Sequence, residues 1–156
     1  MKRKIFCIFL IVTILLTNVA FAAMALITAD KQYFDIDSGL HILRGNVHIE
    51  HNGRIITAGE VKTNLVEIWG SGGVTFTQGD LYFTGNTVYL FFPSHQAQIR
   101  DTVSLSCEGL KITAAKVDFN WDTKIAKFSG NVSIVQNGDS WTADNVNYNV
   151  ITRRLE

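Results

Sequence analysis

Beyond a short apolar leader, hydrophobic and polar residues alternate with period two in runs such as Val47-His48-Ile49-Glu50 and Val132-Ser133-Ile134. Successive side chains of an extended strand point to opposite faces, so these runs predict strands with one face buried and the other wet. No stretch after the leader keeps a helical period. Turn chemistry separates the runs at Asp37-Ser38-Gly39, Asn52-Gly53, Gln78-Gly79-Asp80, Asp122-Thr123 and Asn137-Gly138. The single proline lies in Pro93-Ser94-His95-Gln96, which reads as a hairpin loop.

The alternation is itself repeated. An apolar-Thr-small phrase occurs as Ile27-Thr28-Ala29, Ile56-Thr57-Ala58, Phe83-Thr84-Gly85, Ile112-Thr113-Ala114 and Trp141-Thr142-Ala143, with threonine intervals of 29, 27, 29 and 29 residues. A second phrase follows 19 residues after the threonine in three repeats: Gly45-Asn46-Val47-His48-Ile49, Asp101-Thr102-Val103-Ser104-Leu105 and Gly130-Asn131-Val132-Ser133-Ile134. In the remaining repeat Gly73-Val74-Thr75-Phe76 arrives two residues early, beside Gly70-Ser71-Gly72-Gly73, and reads as irregular. The unit is strand, turn, strand. About four and a half units predict an all-β fold of roughly nine to fourteen short strands, which a solenoid, a jelly roll or a flattened β-roll all satisfy.

Composition sets the address. Lys2, Arg3 and Lys4, the apolar run Ile5 to Leu16, and Ala20-Phe21-Ala22 have the layout of a secretory signal; Ala23-Met24-Ala25 offers a second cleavage site. The expectation is a signal peptide over residues 1–25, cleaved after Ala22 or Ala25, and one domain over 26–156. Without the leader 11 basic residues face 14 acidic ones, which leaves no electrostatic footprint for nucleic acid. Cys107 is then the lone cysteine, so no internal disulfide forms, and its strand-like surroundings read it as a small buried hydrophobe.

Candidate chemistry is sparse. His48 and Glu50 share a strand face while His51 points the other way, so these residues, with His41 nearby, do not converge on a metal. Asp30 and Asp144 recur at one repeat position, which fits a strand-entry hydrogen bond better than acid-base work. Asp35, Asp37 and Asp122 lie at or near turns, and no phosphate loop, Gly-x-Ser-x-Gly or Cys-His pairing is present, so neither an enzyme nor a cofactor is expected.

Ile27-Thr28-Ala29-Asp30, Leu43-Arg44-Gly45-Asn46-Val47-His48-Ile49 with Ile56-Thr57-Ala58, and Phe128-Ser129-Gly130-Asn131-Val132 with Trp141-Thr142-Ala143-Asp144 and Tyr148 resemble the OstA-like (LptA-like) family of periplasmic lipopolysaccharide-transport bridge proteins. The resemblance covers essentially the whole chain after the leader. The family phrase looks like a small residue and Asp opening one strand and Gly-Asn-Val opening the next; here the second repeat departs with Ala58-Gly59 and the third with Gly85-Asn86. The resemblance implies an open-ended β jelly roll of V-shaped section whose apolar interior accepts the acyl chains of lipid A. It also implies domains stacked head to tail by edge-strand pairing, from an inner-membrane transporter complex to an outer-membrane translocon, as part of outer-membrane assembly.

An acyl chain of about twelve carbons costs roughly 10 kcal/mol to hold in water, so carriage needs a continuous apolar shelter. Alternation puts Ile36, Leu43, Val47, Ile49, Val74, Phe76, Val88, Leu90, Phe92, Ile99, Val103, Leu105, Val117, Phe119, Phe128, Val132 and Ile134 on the inward face, as the lipid-binding surface or as a filled core. The edge strands expected to meet partners are Ile27, Thr28, Ala29 and Phe34 at the start, and Trp141, Ala143, Val146, Tyr148 and Val150 at the end. Two other readings stand beside this one. A membrane-anchored, LptC-like docking component follows if Ile5 to Leu26 is retained, and a β-solenoid that binds or cleaves polysaccharide would need carboxylates clustered on one face.

Overall fold

The computed structural model describes residues 26–51, 53–64 and 66–156; the leader, with its cleavage sites, and Asn52 of the Asn52-Gly53 turn lie outside them. The described residues form one antiparallel meander: β1 (Leu26–Thr28), β2 (Lys31–Asp35), β3 (Leu40–His51), β4 (Arg54–Thr63), β5 (Glu67–Gln78), β6 (Leu81–Phe91), β7 (Gln96–Cys107), β8 (Leu110–Asn120), β9 (Ile125–Gln136), β10 (Asp139–Asn149) and β11 (Arg154–Leu155). A short 3-10 turn over Phe92–Ser94 occupies the predicted proline loop. Spatial order follows chain order, with β1 and β2 end to end along β3, and the sheet does not close. The all-β, open-ended expectation and the strand count are both met.

The strands are longer than the repeat suggested because both phrases lie in mid-strand, not at strand starts. Every long pairing loses register once near its centre: at Arg44/Val47, Thr57/Glu60, Ser71/Val74, Thr84/Thr87, Arg100/Val103, Thr113/Lys116 and Ala143/Asn145. Such irregularities bend a strand, and here they align across the sheet into one crease. The odd-numbered strands turn the corner on two consecutive left-handed residues: Gly45-Asn46 (φ 77° and 46°), Gly72-Gly73 (79° and 80°), Asp101-Thr102 (65° and 60°) and Gly130-Asn131 (80° and 50°). Gly and Asn tolerate that conformation, which is why Gly-Asn recurs. The even strands place Ala58, Gly85, Ala114 and Ala143 at the crease, opposite Val47, Val74, Val103 and Val132.

Val74 therefore occupies the regular position, and the repeat that reads as irregular is shortened elsewhere. Its two missing residues come from the far half of β4 and from the connection over 64–66, where the equivalent connections span 92–95 and 121–124. The Ala58-Gly59 departure has a steric cause. A Cβ on Gly59 would sit 3.0 Å from the Gly72 carbonyl oxygen, because β4 and β5 approach each other backbone to backbone at the corner. At the start of the chain the corner interrupts the edge strand into β1 and β2. There the Asp30 amide donates to the Gly45 carbonyl (2.8 Å), and the Asn46 side-chain amide donates to the Asp30 carboxylate (2.9 Å). The predicted strand-entry bond of Asp30 is in fact this cross-strand clasp.

Folding along the crease brings the two halves face to face. Phe83 of β6 and Phe128 of β9, on strands that are not neighbours, stack with ring centroids 6.3 Å apart and planes within 1° of parallel. Around them Val103, Leu105, Ile112, Val117, Val132, Ile134 and Tyr148 are fully buried, a filled core beneath β6 to β10. A separate, smaller cluster of Val47, Ala58, Val61 and Val74 lies under β3 to β5.

Candidate functional site

Between the two clusters the halves part and leave an apolar groove of about 460 Å³, within the roughly 300–1,000 Å³ typical of ligand sites. Eight of the residues expected on the inward face line it: Ile49, Val74, Phe76, Val88, Leu90, Phe92, Ile99 and Phe119. Phe92 stands at the mouth in the 3-10 turn, 43% exposed, with its ring 6.1 Å from that of Trp121.

The other expected inward residues are placed differently. Val103, Leu105, Val117, Phe128, Val132 and Ile134 have no exposure and belong to the filled core, while Val47 and Leu43 belong to the smaller cluster. Ile36 is a correction: it projects from the turn after β2 and is 85% exposed, since the strand ends at Asp35. Sequence reasoning missed Ile56, Ala58, Val61, Ile68, Leu81, Phe83, Ala97, Trp121 and Ile151 among the lining residues. For the even-strand residues the cause is the crease. In each even strand the inward position shifts by three residues there, as Ala58 to Val61, Gly85 to Val88 and Ala114 to Val117, so strict alternation extended through the corner selects the wrong face. The spacing small-x-x-Val was the available signal.

Both edges of the sheet differ in kind. At the start, β1 and β2 form the outer edge, with Leu26, Ile27, Tyr33 and Phe34 exposed and Ala29 packed on the smaller cluster. At the end, β10 is not a free edge along its whole length, which corrects the expectation for its last residues. Tyr148 and Asn149 pair with Leu155 and Arg154 of β11, and Asn147 exchanges backbone hydrogen bonds with Glu156 (3.1 and 2.8 Å). Tyr148 is a buried core residue, its hydroxyl 3.1 Å from the Cys107 sulfur, and burial pushes its phenol pKa upward. Val150 lines the groove, and Trp141, Ala143 and Val146 remain on the part of β10 that no described strand covers on its outer side.

The reversal that builds β11 is local. The Asn149 side-chain oxygen accepts from the Ile151 and Thr152 amides (3.0 Å each), and Arg153 is left-handed at φ 57°. The returning segment carries Ile151 over the groove. The guanidinium of Arg153 reaches the opposite lip and holds the Asp80 carboxyl below the usual carboxylate range.

Other clusters stay small. His48 Nε2 lies 3.7 Å from Glu50, as neighbours on one strand face, and no group of three His, Cys, Asp or Glu that could hold a metal occurs among the described residues. Cys107 is buried, as expected. Among the described residues no helix is long and apolar enough to cross a membrane.

Comparison with known proteins agrees with this architecture. Residues 26–153 match the family model described as the LptA/(LptD N-terminal domain) LPS transport protein. No curated protein matches. Among solved structures the chain is similar to the crystal structure of LptH from Pseudomonas aeruginosa, described as the LptA-homologous periplasmic component of a conserved lipopolysaccharide transport device. The TM-score is 0.61 at 16% identity, over 72% of this chain and 94% of that one.

Proposed function

Because this chain belongs to the LptA/LptD N-terminal domain family of lipopolysaccharide transport proteins, we propose that it is an exported, non-enzymatic periplasmic carrier that shelters the acyl chains of lipid A in its groove. The observation that carries this reading is the parted half of the creased sheet, an apolar groove beside a core that is already full. Each methylene moved from water into such a lining gains about 0.8 kcal/mol without any directional demand, which suits a cargo that must enter and leave.

In the same reading, copies associate head to tail, the exposed β1 and β2 edge of one joining the uncovered stretch of β10 of the next. Unpaired backbone groups on both edges are what strand addition requires. The terminal copies would meet the inner-membrane transporter and the outer-membrane translocon.

The test is photocrosslinking to envelope lipid. Photoreactive residues at Phe76, Val88 and Ile99, inside the groove, should capture lipopolysaccharide; at Trp69 and Val135, exposed outside it, they should not. Capture only at the outer positions would overturn the carrier reading. For the stack, residues replacing Ile27 and Trp141 should crosslink copies to one another, and a protein that stays monomeric at every concentration would end that part.

A further inference from the structure

The groove carries two charges, on turns at opposite ends of the strands. Of the residues that line it, only Arg54 and Lys124 are charged, and both are cations. They stand on different turns: Arg54 opens β4 after the β3–β4 turn, whereas Lys124 immediately precedes β9. Neither has an ion-pair partner among the described residues. Arg54 makes no ion pair among the described residues, and the Lys124 ammonium donates to a neutral group, the Trp121 carbonyl oxygen. The carboxylates of the neighbouring turns are engaged elsewhere, Asp122 with His95 (2.6 Å) and Asp80 with Arg153.

An apolar lining by itself takes any fatty chain, because burial of methylenes is non-directional. Two cations without an ion-pair partner among the described residues, on a mostly apolar wall, add direction and selectivity, since they favour an amphiphile whose anionic head stays at the mouth while its tails lie inside. Arginine presents a planar fork matched to phosphate oxygens, and lysine adds a point charge. Trp121, lining the same groove beside Lys124, supplies an amphipathic surface at the boundary between head and tail.

We propose that Arg54 and Lys124 form an anion seat for the phosphate on the head of the acylated lipid, so that the protein selects phosphorylated lipid A over the same lipid without phosphate. The inference rests on the acyl-groove reading above and adds the head-group chemistry to it. Held on two different turns, the phosphate also sets which end of the lipid faces outward.

Binding is measured by displacement of a dansyl-labelled fatty acid, using lipid A with its phosphates, lipid A stripped of phosphate, and inorganic phosphate alone. Wild-type protein should bind the phosphorylated lipid about tenfold or more tightly than the stripped one, and that advantage should shrink as salt is raised. The double variant Arg54→Gln, Lys124→Gln should lose the advantage and keep the affinity for stripped lipid; the charge-preserving Arg54→Lys, Lys124→Arg pair should retain most of it. Equal wild-type affinity for both lipids overturns the seat and leaves the carrier reading standing. An unchanged advantage in the glutamine variant also overturns it, as does full displacement by inorganic phosphate. If neither lipid displaces the probe, the groove reading itself falls and the seat with it.

Discussion

Arg153 and Asp80 are joined by two hydrogen bonds of 2.5 and 2.6 Å between residues 73 positions apart, so the last turn of the chain clasps the β5–β6 turn. Glu108, on the β7–β8 turn, lies 3.5 Å from the same guanidinium. The clasp ties the segment that carries Val150 and Ile151 across the groove, and so sets how far the lips stand apart at the core end. Both partners are nearly half exposed, so the pair matters here as a geometric tie more than as a source of stability.

Asp80 gives that tie a pH dependence. Its carboxyl pKa is lowered, first by the hydrogen bond from Arg153, so the clasp is in full force above the ordinary carboxylate value of about 4 and is lost as pH falls through the lower folded-state value. The protection of amides 150–156 against hydrogen exchange, taken relative to the intrinsic rate at each pH, should hold from neutral pH to about 4 and fall below it. Asp80→Asn should lower the protection of the same amides at all pH values, with the core strands unchanged.

Core and groove positions should separate cleanly. Phe128→Ala removes a ring stacked on Phe83 in the filled core and is expected to cost about 3–5 kcal/mol in denaturant unfolding. Val88→Ala, in the groove lining, should cost roughly 1 kcal/mol or less, because its site is already parted, yet weaken lipid binding. Equal stability losses at the two sites would mean that the groove is part of the core.

The crease predicts a stabilising change. Thr102 is β-branched at φ 60°, where the equivalent corners carry Asn46, Gly73 and Asn131. Thr102→Asn should raise stability by about 1 kcal/mol by relieving that conformation, visible as a higher denaturant midpoint at unchanged slope. The reverse experiment is Gly72→Ala. It combines φ 79° with a Cβ placed 3.1 Å from the Gly59 Cα, and should cost at least about 1–2 kcal/mol.

Tyr148 should make the protein sensitive to alkali. Burial, then contact with Cys107, raises the folded-state phenol pKa, so the unfolded chain ionises first. Its contribution to stability should be constant below about pH 10, the unfolded value, and decline as pH rises above it; Tyr148→Phe should remove that contribution to the slope. Phenolate absorbance followed across the same range checks the order of events.

The repeat, the two-residue alternation, the family and the turns other than those over 64–66, 108–109 and 150–153 were legible in the sequence, because they depend on neighbours along the chain. Val74, Phe76, Ile99 and Phe119 could be placed on the inward face by counting from their own runs. Ile56, Leu81 and Phe83 could not, since the corner between Ala58 and Val61, or Gly85 and Val88, resets the count. The last residues were harder still: nothing local to Arg153 indicates Asp80 as its partner.

What this sequence determines by itself is a set of bent strands: alternation gives each an apolar face, and Gly-Asn or its substitutes allow the left-handed corner at a fixed place in every repeat. Whether the facing halves touch or part is decided only when strands distant in sequence meet. Phe83 reaches Phe128 and fills one end, while at the other the halves stay apart as the groove. Packing depends on the summed volume of groups from several strands, and no stretch of chain contains that sum.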